Sequence, residues 1–399
     1  MNASDLVLKS FSNQSKEDIK LLKEFVAFHW QHYAADPQYI PLLDYEYLGF
    51  KLLGMTGLFE SSNLFFKHGE MRFFLVRQAE KIVGRCNAFV NHNHNKHWHD
   101  KVGFIGQFEA IDDQQVAIAL FAASAAWLKE KGMDAMRGPQ NLPVNEATPG
   151  VLTEGFESQP VIYYHYNKPY YEKLFRNAAF TVVKRVKSWD CPLMTPMEER
   201  LERVGKKVIE HYDVTIETWG QRPLAIRKRE MLEVYNDAWN DNWGFVPFTE
   251  EEFNKNVDDM QLVMQQGLFI FVYVKGELAA FFGGVPNIIE KMGKLPFHSE
   301  LIRAVKMLLT KGSVKGFRLG YVGVKKKFRR LGLDGVMLWW QKNYSQKKGY
   351  EYCDLGWVVE DNVLVTRLID MMADSKLSKV YTIFSKKYLA LSVEDAMAM

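Results

Sequence analysis

Apolar residues recur along this chain with two periods, one near four and one of two. Between 15 and 33 they fall three and four apart, which predicts an amphipathic helix ended by Pro37 and Pro41 in "DPQYIPLL" (36–43). "RFFLVRQAEKIVGRCNAFV" (72–90) predicts a hairpin turning near Ala79–Lys81, and "KVGFIGQFEAI" (101–111) a further strand. Apolar positions 117, 120, 121 and 128 predict a helix over 113–132, stopped by Gly132. A strand at 135–143 runs into a loop, and a short helix (168–180) and a strand (181–190) follow.

The second half repeats this order. Helices are expected at 227–240 and 249–264, the latter with Thr249 and Glu252 as a capping box. A hairpin (268–285) turns near Lys275–Gly276, and "FRLGYVGV" (317–324) is a strand. Helix 336–348, strand 350–359, helix 361–374 and strand 379–388 complete it. Each half thus reads helix, hairpin, strand, helix, strand, helix, strand, a repeat of architecture rather than of sequence. The two prolines of "CPLMTPMEER" (191–200) mark the division, giving domains 1–192 and 200–399 of an α/β (α+β) chain.

Composition narrows the class. At 47% hydrophobic and 25% charged residues over 399 positions, the chain supports a true core. A net charge of +3 is too near neutral to argue for a nucleic-acid partner. "MNASDLVLKSFSNQ" lacks the basic and apolar pattern of a leader, and no run of about 18 apolar residues predicts a membrane span. Cys86, Cys191 and Cys353 are scattered and odd in number, as expected of reduced thiols in a cytoplasm.

One stretch carries candidate chemistry. "VKKKFRRLGLDGVM" (324–337) places Lys325, Lys326, Lys327, Arg329 and Arg330 beside Gly332 and Gly335, between an expected strand and helix. Such a turn presents free backbone N–H groups and the positive end of a helix, which together bind phosphate. The phosphate-loop pattern G-x-x-x-x-G-K-[ST] is absent, as is G-x-G-x-x-G after a strand. What is present resembles the pyrophosphate loop of the GNAT superfamily of acyltransferases, whose pattern is Q/R-x-x-G-x-G/A after the fourth strand. Arg329 and Gly332 match it; Asp334 stands where the family has Gly or Ala, and Gly335 follows one residue later. "YEYCDLGWVVEDN" (350–362) resembles the fifth strand followed by the family's asparagine, here Asn362.

The resemblance implies two tandem GNAT-like lobes, each a mixed central sheet flanked by helices. Coenzyme A, as acyl-CoA co-substrate, would lie on Val324, Lys325, Arg329, Arg330, Leu331, Gly332, Leu333, Gly335 and Asn362 of the second lobe. The first lobe carries "NKPYYEKLFRNAAF" (167–180), similar to the fourth-helix pattern through Asn167, Tyr171 and Phe180. It has Asp112 and Asp113 where phosphate would sit, so it is expected to form a substrate wall and to leave one CoA per chain. "RGPQN" (137–141), "NEATPGVLTEGF" (145–156) and "AWNDNWGFVPFTEEE" (238–252) further resemble long bacterial GNAT-like proteins that include ceramide synthases. This implies an N-acyltransferase acting on an amine acceptor, of sphingoid type in those relatives, with no metal.

Candidates for the base are Glu360, Glu109 and Glu146, with Tyr321 standing in for the absent fourth-helix tyrosine. Each has a plainer reading: a helix-start acid, a paired structural acid, a turn residue beside Asn145, a buried ring. Trp239, Trp243, Phe245 and Phe248 give either an apolar acceptor wall or ordinary packing. His92, His94, His97 and His99 have zinc-like spacing but no companion ligands, so no metal is expected. The amphipathic, basic stretch 296–316 suggests either a surface helix or peripheral contact with the inner membrane. Two other readings remain: a transferase using aminoacyl-tRNA, as in peptidoglycan synthesis, and a non-catalytic acyl-CoA-binding protein.

Overall fold

A computed structural model describes residues 5–41, 43–50, 54–261, 263–292, 299–370, 372 and 374–388. The chain forms two compact units. Among the described residues, unit 1 holds those through Val186, then Ser299 and Glu300, and those from Lys379 to Tyr388; unit 2 holds the rest.

Unit 1 opens with β1 (Leu6–Phe11) and α1 (Lys16–His32). Ser15 and Asp18 form a reciprocal capping box at the start of α1, satisfying two backbone donors. After α2 (Asp44–Leu48) come β2 (Gly69–Gln78), β3 (Lys81–Asn91), α3 (His92–Trp98) and β4 (Val102–Ala110). Then α4 (Gln114–Glu130), β5 (Ala135–Gly138), β6 (Val151–Glu154), α5 (Tyr171–Asn177) and β7 (Thr181–Pro192) follow. Strands β1 to β4 form an antiparallel meander, and β4 and β5, joined by the crossover helix α4, pair in parallel. Phe108, Phe121, Phe175, Phe180 and Phe384 pack on one side of this sheet, and Phe11, Phe25, Phe59 and Phe73 on the other.

Unit 2 begins with α6 (Glu199–Tyr212), β8 (Val214–Thr218), α7 (Leu224–Trp239) and α8 (Glu250–Met260), which carries the expected Thr249–Glu252 capping box. The hairpin β9 (Phe269–Val274) and β10 (Glu277–Pro286) leads through α9 (Glu300–Thr310), whose first residue counts with unit 1, to β11 (Gly316–Val324). Then come α10 (Leu333–Lys348), β12 (Tyr352–Val359), α11 (Val363–Ile369) and β13 (Lys376–Lys387). The strand order is β8-β9-β10-β11-β12, with only β11 and β12 parallel. Arg227 is fully buried and ties α7 to β8 and β9 through Glu217, Glu230 and Tyr273. A guanidinium so placed needs every donor met, and two further bonds go to the carbonyls of Thr218 and Trp219.

The expected sequence of elements is present in both units, each preceded by an extra strand, β1 or β8. The last strands differ from the division at 192/200. From Lys379 onward β13 belongs to unit 1, where Phe384 pairs with Gly138 and Lys387 with Ala135. β7 leaves unit 1 after Val186, and in unit 2 it neighbours β12. Each unit therefore takes strand from the other half of the sequence. The segment 91–100, read as a strand connection, is the helix α3, started by Asn91 accepting the His94 amide at 3.1 Å.

Candidate active site

The site in unit 2 is built by a failure of strand pairing. β11 and β12 pair from Gly316↔Tyr352 to Leu319↔Leu355, where the register ends. At the same level β11 bulges against β10: Gly283 faces Tyr321 but Gly284 faces Leu319, so Gly320 is the extra residue. Gly320 is also the exposed residue of an otherwise mostly buried strand. A β-carbon there would meet nothing nearer than the Arg318 guanidinium at 3.5 Å. Arg318 donates from Nε to the Gly356 carbonyl at 3.0 Å, holding the strands together just before they part.

β11 leads into the basic turn. Its N-cap to α10 is Gly332, at φ +79°, a conformation that favours glycine, and no side chain caps the helix. The first amides of a 16-residue helix are thus left for a ligand. The cations divide by role. Lys325 is buried and paired with Glu233; Lys327 pairs with Glu277, and Lys326 with Asp241 at 2.7 Å. The Lys326 amide donates to Asp237 at 2.8 Å and Arg329 Nη2 to the Ala238 carbonyl at 3.0 Å, so the end of α7 braces the turn. Arg329 and Arg330 are exposed near the helix start; among the described residues neither is held in a direct carboxylate ion pair, Asp241 acting on Arg329 only at longer range. Gly335 is buried one turn in, where its β-carbon would touch Val204 of α6 at 3.0 Å; it permits helix packing. Leu333 is buried too, and Val324 and Leu331 are half-buried. Asn362 caps α11, accepting the Val365 amide at 3.3 Å.

In unit 1 the corresponding places are filled by the chain itself. β4 and β5 pair only from Val102↔Ala135 to Phe104↔Arg137, and β4 bulges at Gln107, φ +47°. The Gln107 amide donates to Asn141 Oδ1 at 2.7 Å, and the Gln140 amide to the Ile105 carbonyl at 2.7 Å. A β-carbon on Gly106 would lie 2.2 Å from the Gln140 carbonyl oxygen. The segment "PQN" therefore occupies the opening that unit 2 leaves free. Asp113 caps α4, accepting the Gln115 amide at 2.8 Å, so a fixed carboxylate sits where an anion would bind.

Unit 1 instead concentrates polar groups around Glu109. Its Oε2 accepts the hydroxyls of Tyr33 at 2.6 Å and Tyr171 at 2.5 Å. Tyr171 also accepts the Ala110 amide at 3.1 Å, and His32 Nε2 lies 2.8 Å from its oxygen. With the phenol proton directed to Glu109, His32 donates from Nε2, which fixes its tautomer. Arg85 Nη2 is 4.0 Å from Oε1. Burial raises the Glu109 carboxyl, opposed by Arg85 and the two phenols. Two residues past the bulge in unit 2 stands Val322, so that unit has no carboxylate at the matching place of β11.

Buried neutral histidines make this unit acid-sensitive. Burial lowers His32 and His94 to about 3 and His165 to about 4. The unfolded chain binds these protons near ~6.5, so their contribution is complete above that pH and is lost as pH falls to about 4 for His165 and about 3 for His32 and His94. At pH 5 each costs roughly 1–2 kcal/mol. His94 packs edge-on against Phe104 at 4.9 Å, so His94→Phe preserves shape. The variant is expected to match wild-type Tm at pH 7 and to lose less of it at pH 5. Equal losses would refute the assignment.

The remaining candidates are scattered. Glu360 is exposed in the turn after β12, at the open end of the parted strands. Tyr321 is half-buried beside Phe269, and Glu146 is buried in the 143–150 loop. Trp239, Phe245 and Phe248 pack around Tyr235 as one aromatic cluster. His92 is exposed towards Glu70, His94 points inward, and His99 ends α3 at φ +53°. Among the described residues no group of His, Cys, Asp and Glu is arranged to hold a metal. Sequence reasoning passed over Asn141, Tyr33 and His32. The last two sit at the end of α1, where the helical pattern explains them as packing.

No family model matches the chain. It is 26% identical over 381 residues to Protein YghO of Escherichia coli, covering 92% of this chain and 93% of that protein. It is 27% identical over 376 residues to a bacterial ceramide synthase of Caulobacter vibrioides, covering 92% and 94%. Among solved structures, a tandem GNAT protein of the clavulanic acid pathway aligns over 97% of this chain and all of its own (TM-score 0.54, 9% identity). The glucosamine N-acetyltransferase region of a fungal β-N-acetylglucosaminidase aligns over 96% of this chain, which spans 38% of that larger protein (TM-score 0.55, 12% identity). Alignment of nearly the whole chain with these structures, at identities too low to speak for more than architecture, shows what the two units are together: the chain has the tandem GNAT fold.

Proposed function

We infer that the protein is an acyl-CoA-dependent N-acyltransferase that binds acyl-CoA in unit 2 and acylates a long-chain amine. The observation that carries this reading is the asymmetry between the units. Unit 2 leaves its bulge exposed and its helix start uncapped beside Arg329 and Arg330, whereas unit 1 fills both places with Asn141 and Asp113. The ceramide synthase similarity supports the class of acceptor.

Acyl-CoA supplies an activated thioester. The N-terminal amides of α10 and the two arginines bind its pyrophosphate. Gly320 presents bare backbone where the carbonyl oxygen gains charge. An alkylamine titrates near ~10 and must give up a proton before it attacks. Since Val322 cannot take it, Glu360 at the open strand end accepts it, directly or through water. Because Glu360 is exposed, water can partly replace it. Glu360→Gln is expected to lower kcat/KM about tenfold at pH 7, the loss shrinking as pH rises.

The test is free-thiol release from a series of acyl-CoA chain lengths with sphinganine as acceptor, alongside calorimetry. One CoA per chain and amine-dependent thiol release are expected. Two equivalent CoA sites would refute the division of labour, and binding without thiol release would make the protein a carrier.

A further inference from the structure

α9 is turned inside out. Its one fully buried side chain is Arg303, while Leu301, Ile302, Val305, Leu308 and Leu309 are 57%, 46%, 46%, 45% and 80% exposed. At about 100° per residue these five form one stripe about 120° wide, with Arg303 on the opposite side. No other helix among the described residues exposes such a group; the other exposed large apolar residues stand singly or in pairs. The matching connection in unit 1 is the seven-residue α3, which buries His94. The longer insertion in unit 2 is thus not explained by the core it covers.

Charge identifies what covers the stripe. The only acid of α9 is Glu300, and its Oε2 accepts the Asp44 amide at 2.6 Å. Lys306 falls just beyond one edge of the stripe, its ammonium on the Met292 carbonyl at 3.2 Å; Lys311 follows the last turn, and Lys315 beyond it pairs with Glu351 at 3.1 Å. Apolar side chains bordered by lysines suit a helix lying flat in a lipid headgroup layer, the stems apolar and the ammonium groups near phosphate. At 11 residues α9 is too short to cross a bilayer. Pairing with a second copy through the same stripe would bring the lysines of both copies together, which like charge opposes.

We propose that α9 docks the protein on an anionic lipid surface, with Leu301, Ile302, Val305, Leu308 and Leu309 entering the headgroup–acyl boundary. This does not depend on the reaction assigned above, because none of these residues belongs to the acyl-CoA site. The test is co-sedimentation of the full chain with vesicles of mixed phosphatidylglycerol and phosphatidylcholine, and with phosphatidylcholine alone. Wild type is expected to sediment with the first, to bind the second at least about tenfold more weakly, and to be released by salt. The pair Leu308→Ser/Leu309→Ser is expected to lower binding to anionic vesicles about tenfold or more, with Tm and CoA affinity unchanged. Should the pair lower Tm, Leu309→Ser alone, at the most exposed position, carries the comparison. No binding by wild type, or equal binding by the variants, overturns the proposal. So does concentration-dependent self-association that the same substitutions abolish, which would make the stripe a contact between copies.

Discussion

Gly320→Val is expected to reduce turnover by about 10²-fold while leaving CoA affinity within a factor of about three and Tm almost unmoved. The three parts of that expectation come from different observations. Gly320 is not at positive φ, so its backbone does not demand glycine, and the nearest neighbour of a new β-carbon is Arg318 at 3.5 Å. The fold therefore accepts valine at a cost within about 1 kcal/mol. The pyrophosphate turn begins beyond Val324, so binding of the nucleotide end is left intact. What valine occupies is the opening between β11 and β12, where the reading above places the thioester. Gly320→Ala, with one carbon instead of three, is expected to fall between the two. Turnover within twofold of wild type in the valine variant would mean that acyl transfer does not happen at this bulge. A matching loss of Tm would mean that the glycine serves the fold.

Unit 1 shows why such a substitution is informative. Nature's version of a filled opening is Asn141 on the Gln107 amide and Gln140 against Gly106. Nothing in "RGPQN" announces this, because the contacts join residues 34 apart in sequence and depend on where the bulge falls. The same limit hid the Glu109 cluster. Glu109 could be singled out as an acid on the fourth-strand equivalent, but its partners His32, Tyr33, Arg85 and Tyr171 come from three other elements. Local pattern served well where the chain is locally consistent. The capping box at Thr249, the hairpin turns and the strand–turn–helix of 317–348 are all set by residues a few positions apart. The exchange of β7 and β13 was not legible, since both are strands of 12 residues that mix apolar and charged positions, and either could end either sheet. α3 was missed for a composition reason. Asn and His are poor helix formers, and the helix depends on a cap at Asn91 and on burial of His94. The basic turn gave its sign of charge correctly but not its use, because the lysines at 325, 326 and 327 are spent on Glu233, Asp241 and Glu277.

That leaves the helix start itself as the phosphate ligand to be tested, and the two units supply the design. Unit 1 closes α4 with the carboxylate of Asp113; unit 2 begins α10 with Gly332. Gly332→Asp places the same charge at the second helix start, and Gly332→Asn places the same shape without the charge. Both residues tolerate the left-handed backbone at φ +79° better than other side chains. Both meet Val208 at 3.2 Å, so any strain is common to the pair and cancels between them. The difference between the variants therefore reports charge alone. A pyrophosphate beside a fixed carboxylate loses roughly 1.4–2.8 kcal/mol at short range, so the aspartate variant is expected to bind CoA about 10- to 100-fold more weakly than the asparagine one. Added salt should narrow the gap, because the turn is exposed and its field is screened over about 10 Å. Dephospho-CoA should show nearly the same gap, since it keeps the pyrophosphate, while pantetheine, which lacks it, should show none. Calorimetry of the three ligands against the two variants decides the matter. Equal CoA affinity in Gly332→Asp and Gly332→Asn would remove the start of α10 as the anion site and leave Arg329 and Arg330 to bind phosphate elsewhere on the turn.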